Sequence, residues 1–303
     1  MVRIVEVSPR DGLQNEPRIV PTEIKARLIQ NLQRSGLSEI EVTSFVSPKW
    51  VPQLADASEL CQLLAPEGVH SALVPNRQGL ERAIQSGIRR IALFTAASET
   101  FCLRNINRSL SQSLKVFGEV IEEARHEIPE GLFIRAYLST AFQCPYEGRV
   151  DPSKVVSLTS ELLRMGVDEV SLGDTIGVAG PSEVRELCRL LRAEVDFRAI
   201  AFHFHDTNGT AISNVAEALA HGCTNFDSSA AGLGGCPYAP GAGGNLATED
   251  LIYFLNREGV PCPGDLALVA VASLDVLRFL GRAPASKAQV AQLARASTDS
   301  CAT

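Results

Sequence analysis

Eight strand-like stretches, each followed by a helix-like one, predict an α/β protein closed into a (β/α)8 TIM barrel, with additional C-terminal helices. Three observations lead there. Of the 303 residues, 45% are hydrophobic, enough to fill one large core, and barrels of this size are single domains. The β-then-α units number eight, the count that closes a barrel. The first strand runs into Ser8-Pro9-Arg10-Asp11-Gly12, a charged turn. The open doubly wound sheet, the alternative, would carry a glycine-rich phosphate turn there.

The elements follow in order. Residues 2–7 are strand-like. A helix over 21–36 comes next, with Thr22 as N-cap and Ile24, Leu28 and Leu32 as an i, i+4, i+8 apolar stripe. A strand over 39–43 precedes a helix near 53–65. Strand 69–74 leads to helix 77–86, and strand 90–95 to a long helix over 106–127. In the second half, strand 132–138 leads to helix 152–165, strand 169–172 to helix 181–193, and strand 200–205 to helix 210–221. Strand 225–228 leads, after a glycine-rich loop, to helix 248–258. Gly36, Gly87, Gly166 and Gly222 each follow a helical stretch, where a left-handed cap asks for glycine. The expected organisation is a catalytic barrel over 1–262 and a helical extension over 263–303, helix-like at 266–280, packed on the barrel and frayed at its end.

Composition narrows the function. The formal net charge is −7 with no long basic run, which argues against a nucleic-acid partner. No apolar run approaches the ~20 residues of a membrane span, and residues 2–7 already read as strand rather than as a targeting leader. The eight cysteines show neither zinc spacing nor a disulfide framework. They read as thiols in a reducing compartment, with the cytoplasm as the expectation.

Catalytic groups of a barrel gather at the C-terminal strand ends. In Ala201-Phe202-His203-Phe204-His205 the strand period of two puts His203 and His205 on one face and both phenylalanines on the other. Asp206 faces away and reads as an outer or turn residue. Strand one ends at Arg10 and Asp11, strand two carries Glu41, strand five carries Arg135, and strand six ends at Asp174. After strand eight come Gly232-Leu233-Gly234-Gly235-Cys236-Pro237-Tyr238 and Gly243-Gly244-Asn245. Strands one, seven and eight are neighbours in a closed barrel, so Asp11, His203, His205 and Asn245 can converge. One carboxylate, two imidazoles and an amide oxygen suit a divalent ion such as Mg²⁺ or Mn²⁺, with Zn²⁺ also compatible. Structural alternatives stand beside these readings. Arg10 and Glu41 also fit an ion pair at the barrel mouth. Asp174 also fits a turn cap, and Arg135 a layer-filling partner of Glu41 or Asp174. Cys236 is either an ordinary buried thiol or a proton carrier on a mobile loop. Cys144-Pro145-Tyr146 reads as structural.

Four stretches carry a resemblance. They are Val7-Ser8-Pro9-Arg10-Asp11-Gly12-Leu13-Gln14-Asn15-Glu16, Ile40-Glu41-Val42-Thr43-Ser44-Phe45-Val46-Ser47-Pro48-Lys49-Trp50, residues 171–177 and residues 232–250. The chain, from residue 2 to about 260, closely resembles the 3-hydroxy-3-methylglutaryl-CoA lyases, in the wider group of metal-dependent barrel lyases marked by an Asp, an Arg and a Glu. The resemblance implies cleavage of (S)-3-hydroxy-3-methylglutaryl-CoA to acetyl-CoA and acetoacetate, as in leucine breakdown. It implies a metal, Mg²⁺ or Mn²⁺, held by Asp11, His203, His205 and Asn245. Arg10 would polarise the thioester carbonyl, with Glu41 orienting it. Asp174 or a group near His203 would take the hydroxyl proton, and Cys236 would deliver a proton to the enolate. Arg10, Arg135 and Ser44 are the expected substrate contacts, an acyl-CoA is the expected ligand, and a homo-oligomer, dimer or higher, is the expected assembly. Pro17 replaces a lysine found in some family members, with Arg18 beside it as the substitute cation. The tail beyond Gly259 is only loosely similar, and Cys301 stands near the place of a C-terminal cysteine that some members use for crosslinking.

Competing readings are the same reaction on a larger branched 3-hydroxyglutaryl-CoA, as in terpenoid breakdown, a related Claisen-type synthase or aldolase, and a barrel that only binds CoA esters. The long lyase-type segments argue against the synthase. The presence of every one of Asp11, His203, His205, Asn245 and Cys236 argues against a mere binder.

Overall fold

The computed structural model describes residues 1–65, 68–235 and 244–301. Its core is a closed barrel of eight parallel strands, as expected: β1 (Arg3–Glu6), β2 (Glu39–Ser44), β3 (Val69–Leu73), β4 (Arg90–Ala96), β5 (Phe133–Ser139), β6 (Glu169–Asp174), β7 (Ile200–Phe204) and β8 (Asn225–Ser228). Each strand pairs with its sequence neighbours, and β1 closes the ring on β8 with Arg3 opposite Asn225 and Glu6 opposite Ser228. A two-stranded hairpin, Gln143–Cys144 with Gly148–Arg149, lies in the loop after β5.

The helices ring the barrel: α1 (Thr22–Arg34), α2 (Ala57–Gln62), α3 (Arg77–Gln85), α4 (Glu99–Ile106), α5 (Leu110–Glu127), α6 (Pro152–Arg164), α7 (Pro181–Leu191), α8 (Ala211–Ala220) and α9 (Thr248–Arg257). Beyond them, α10 (Leu266–Ala272), α11 (Leu274–Leu280) and α12 (Lys287–Cys301) complete the chain. Helix α10 packs on α1 and α9, and α12 on α9 and α10. No helix among the described residues is long and apolar enough to cross a membrane.

Several local expectations are met and several are corrected. Gly36, Gly87, Gly166 and Gly222 all take positive φ at helix exits. Leu28 and Leu32 of the α1 stripe are buried, with Ile24 packed against the core. Thr22, however, is not the cap of α1. Pro21 holds that position, and the Thr22 hydroxyl donates to Asp56 Oδ2 at 2.9 Å. The helix expected over 106–127 is two helices. Asn107 turns left-handed at φ 52°, and Ser109 restarts the chain with a reciprocal capping box to Gln112. The helix expected near 53–65 begins as a short tight turn, Pro52–Leu54, before α2. The segment 266–280 breaks at Ser273 into α10 and α11.

Candidate active site

The site starts with the turn after β1. The N–H groups of Arg10, Asp11 and Gly12 all point at the carbonyl of Val7, at 3.2, 2.8 and 3.1 Å. Such a wide helical turn is rare and concentrates at functional sites. Here it sets Arg10 and Asp11 side by side at the barrel mouth. Gly12 lets this turn approach the chain after β8: a Cβ there would stand 2.9 Å from Ser229 Oγ and 3.1 Å from Leu233 Cβ. Gly12→Ala is therefore expected to lose about 1–3 kcal/mol of stability through overpacking. A thermal-denaturation midpoint equal to that of the parent would argue against this close approach.

Arg10 is 4% exposed. Its Nε donates to Glu41 Oε1, and its Nη1 donates to Asp11 Oδ1 at 2.6 Å. The guanidinium lies 5.0 Å from the ring centre of Tyr137, whose hydroxyl donates to Glu41 Oε2 at 2.7 Å. Burial alone would lower the Arg10 pKa, but the charges of Glu41 and Asp11 outweigh it and raise it. The same pairing works on Asp11, where burial pushes the carboxyl up and Arg10, His203 and His205 bring it below its ordinary value.

His203 and His205 share one face, as the strand period requires. Their ring centres are 5.2 Å apart and their Nε2 atoms 3.2 Å apart. Phe202 and Phe204 stack on the other face, also 5.2 Å apart. One ligand atom each from Asp11, His203 and His205 falls within 4.8 Å of the others. Asn245 Nδ2 donates to Asp11 Oδ2 at 2.8 Å and to the Leu233 carbonyl at 3.1 Å, while its buried Oδ1 makes no hydrogen bond among the described residues. An unsatisfied buried oxygen is costly unless something electropositive faces it. Burial and the neighbouring His203 hold His205 down to about 4, so its ring is a neutral donor at neutral pH.

His203 has a partner that the sequence analysis did not single out. Its Nδ1 meets Asp227 Oδ2 at 3.1 Å. Burial alone would lower the pKa of the His203 imidazole. The hydrogen bond to Asp227 and the charges of Asp11 and Asp227 raise it instead. Asp227 itself is brought down to about 2, chiefly because the charge of Arg135 overcomes the effect of burial. Along the barrel axis, Arg3, Arg10, Arg90 and Arg135 pair with Asp11, Glu39, Glu41, Glu169 and Asp227. Four arginines face five carboxylates, and His203 stands between two of those carboxylates, Asp11 and Asp227. Adjacent donors on an octahedral Mg²⁺ lie about 3 Å apart, given bonds of ~2.1 Å. The donor types, their spacing, the unsatisfied oxygen and the excess of carboxylates over arginines all fit a divalent cation.

The structure thus brings together Arg10, Asp11, Glu41, His203, His205 and Asn245. It places three other candidates elsewhere. Asp174 alternates out of phase with Ser171 and Gly173, which line the mouth cavity. Its carboxylate accepts the N–H groups of Val178 and Ala179, both at 3.1 Å. The turn-capping alternative describes it, and burial raises it to about 6. Arg135 lies deeper, on Asp227 (2.5 Å) and Glu169 (2.9 Å) rather than on Glu41 or Asp174. The Ser44 hydroxyl donates to the Leu73 carbonyl at 3.2 Å and is only 2% exposed. Neither Arg135 nor Ser44 lines the cavity. Cys236 lies outside the described residues. Asp206 accepts the N–H of Ala211 at 3.0 Å, the turn role expected of it. Cys144 is buried with Sγ 2.9 Å from Ser98 Oγ, in keeping with a structural role. Arg18 stacks on Phe279 and donates to its carbonyl at 2.6 Å.

Arg10, Asp11, His203 and His205 open onto a cavity of about 100 Å³ walled by Phe94, Phe101, Tyr137, Ser139 and Thr175. A parallel barrel with a mixed nitrogen–oxygen cluster and a carboxylate-held arginine at its mouth defines an enzyme of the cation-assisted barrel class. The HMGL-like family model matches residues 1–276, and the chain belongs to that family. It is 46% identical over 288 residues to the mitochondrial hydroxymethylglutaryl-CoA lyase of Bos taurus, covering 94% of this chain and 88% of that one. It is 46% identical over 298 residues to the 3-hydroxy-3-isohexenylglutaryl-CoA/hydroxy-methylglutaryl-CoA lyase of Pseudomonas aeruginosa, covering 97% and 98%. The crystal structure of hydroxymethylglutaryl-CoA lyase from Pseudomonas aeruginosa superposes with a TM-score of 0.93 at 46% identity, over 97% of this chain and 98% of that one.

Proposed function

We propose that the protein cleaves 3-hydroxy-3-methylglutaryl-CoA to acetyl-CoA and acetoacetate by cation-assisted retro-Claisen chemistry. The observation that carries this reading is the meeting of Asp11, His203, His205 and the unsatisfied Asn245 oxygen beside an Arg10 pinned by two carboxylates. The chemistry moves one proton twice and breaks one bond. The tertiary hydroxyl loses its proton, the C2–C3 bond breaks with its electrons passing to the thioester enolate, C3 becomes the ketone of acetoacetate, and C2 of the enolate takes a proton to give acetyl-CoA.

Asp11, His203, His205 and Asn245 would hold Mg²⁺ or Mn²⁺, which when bound acidifies the substrate hydroxyl and fixes its geometry. With Asp174 turned onto the backbone and His203 Nε2 committed to the cation, the hydroxyl proton is assigned to the Asp11 carboxylate. Nε and Nη1 of Arg10 are occupied by Glu41 and Asp11. That leaves Nη2 to the thioester oxygen, where enolate charge develops. Glu41, fixed by Tyr137, keeps the guanidinium from turning. Cys236, by family likeness, returns the proton to carbon. Cys236→Ser is expected to keep the metal stoichiometry of the parent while turnover falls at least about 100-fold; unchanged turnover would remove the thiol from the mechanism.

The bulk of Phe94, Phe101 and Tyr137 in the cavity wall supports the methyl-branched substrate over a larger one. The deciding assay follows acetyl-CoA release with Mg²⁺ from hydroxymethylglutaryl-CoA and from a longer-branched homologue. The proposal expects kcat/KM at least about 10-fold higher for the methyl compound, a difference that pocket contacts can supply. The reverse ranking would assign the larger substrate. The six described cysteines that are free thiols are in keeping with a reducing compartment. Leu268 and Val271 of α10, each about half exposed, support a homo-oligomer. A one-chain mass by light scattering would count against it.

A further inference from the structure

We infer that Asp227 and Arg135 are positioning residues: the carboxylate, pinned by Arg135, dictates which imidazole nitrogen of His203 carries the hydrogen and so turns a bare Nε2 toward the cation site. This rests on the reading of His203 Nε2 as a metal ligand.

Every neighbour of the Asp227 carboxylate is a donor. Oδ1 receives Arg135 Nη2 at 2.5 Å, and Oδ2 receives the Ser171 hydroxyl at 2.8 Å and faces His203 Nδ1 at 3.1 Å. Asp227 is 1% exposed, so no solvent competes for these positions. An ionised carboxylate can only accept, and an arginine can only donate. The imidazole hydrogen is therefore drawn to Nδ1, and Nε2 keeps its lone pair. Asp11 Oδ2, a carboxylate that would draw the hydrogen to Nε2 instead, is 3.8 Å away, beyond hydrogen-bond reach, and the nearer neighbour of Nε2, His205 Nε2 at 3.2 Å, is a neutral ring that draws a hydrogen less strongly than the ionised Asp227.

Arg135 has no freedom to release its hold. Its Nε pairs with Glu169 at 2.9 Å, Glu169 is in turn held by Arg3, and the guanidinium sits 5.2 Å from the Tyr137 ring centre. The Tyr137 ring also meets the His203 ring edge-on, centres 6.0 Å apart, which fixes the plane of the imidazole. A continuous row of charges thus runs from the half-buried Arg3, through the buried Glu169, Arg135 and Asp227, to the histidine.

The consequence is specific to one substitution. Asp227→Asn keeps the shape but turns one oxygen into an NH₂ group. Arg135 demands an oxygen opposite it, so the NH₂ faces Ser171 and His203. The Ser171 hydroxyl can rotate and accept. His203 Nδ1 must then accept as well, and its hydrogen moves to Nε2, where it blocks coordination.

The test uses the full-length protein with ¹⁵N-labelled histidine. In metal-free protein at alkaline pH, where the imidazoles are neutral, the His203 resonances (assigned with His203→Gln) should show hydrogen on Nδ1 in the parent and on Nε2 in Asp227→Asn. Mn²⁺ affinity, read from the EPR signal of the unbound ion, should fall about 10–100-fold in Asp227→Asn, the usual loss for an outer partner of a metal-bound histidine. An unchanged tautomer, or a parental Mn²⁺ affinity in the variant, overturns the inference. If Asp227→Asn does not fold, Arg135→Lys takes its place, because one ammonium cannot span Glu169 and Asp227. It should weaken Mn²⁺ binding about 10-fold and mix the tautomers, and parental values for both would overturn the inference. A parent that binds no Mn²⁺ would overturn the metal-site reading, and the tautomer measurement would still decide the role of Asp227.

Discussion

Replacing Arg10 with glutamine is expected to lower kcat about 10²–10³-fold, equivalent to about 2.7–4 kcal/mol of transition-state stabilisation, with KM changed only a few-fold. The reason lies in how the side chain is held. Glu41 and Asp11 take Nε and Nη1, and Tyr137 anchors Glu41 from the other side. The guanidinium is thus oriented before substrate arrives, and its remaining edge meets charge only as the carbon–carbon bond breaks. Glutamine is shorter, carries no charge and cannot hold both carboxylates. It also leaves Glu41 buried with only the Tyr137 hydroxyl. Steady-state kinetics separate the outcomes: a rise in KM with kcat intact would make Arg10 a binding residue.

Asp11→Asn is expected to weaken Mn²⁺ binding by more than about 100-fold, beyond the about 10–100-fold of losing an outer partner, and to remove turnover with it. Asp11 is the one anionic donor among the four proposed ligands. Asparagine keeps an oxygen in place but removes the charge. Four arginines then face four carboxylates, and the local demand for a cation falls. The change also takes the charge out of the bond to Arg10 Nη1 and loosens the guanidinium, so the loss of turnover should exceed what metal occupancy alone predicts. Titration of Mn²⁺ followed by EPR reads the first effect, and turnover at saturating Mn²⁺ reads the second. Parental affinity in the variant would exclude Asp11 as a ligand.

Much of this was legible in the chain because the relevant signals are periodic. The alternation of strand and helix gives the barrel, and the strand period of two puts His203 and His205 together and Phe202 and Phe204 apart. Barrel closure then brings Asp11 and Asn245 to the histidines from opposite ends of the sequence. The same period, applied to β6, would have set Asp174 aside: it follows Ser171 and Gly173 in the opposite phase, so its carboxylate faces the loop amides. Asp227 and Tyr137 escaped notice although they sit inside strands just as Glu41 and Arg135 do. Each still carried a sign, since an Asp in the middle of a barrel strand and a Tyr two residues after Arg135 share the inward phase. Arg135 was recognised as buried, but its partners depend on barrel stagger, which no local pattern encodes. The break between α4 and α5 hinged on Asn107 adopting a left-handed conformation, a choice that the helical periodicity on either side conceals.

The most direct measurement strips the full-length protein of metal, adds back Mn²⁺ stepwise, and follows both bound ion and acetyl-CoA release from hydroxymethylglutaryl-CoA. A cation cradle shared by β1, β7 and the chain after β8 predicts no activity in the stripped protein and recovery in proportion to one tightly bound ion per chain, with both lost when His203 and His205 are replaced by glutamine. Full turnover after thorough chelation, or Mn²⁺ binding that persists without the two histidines, would contradict it.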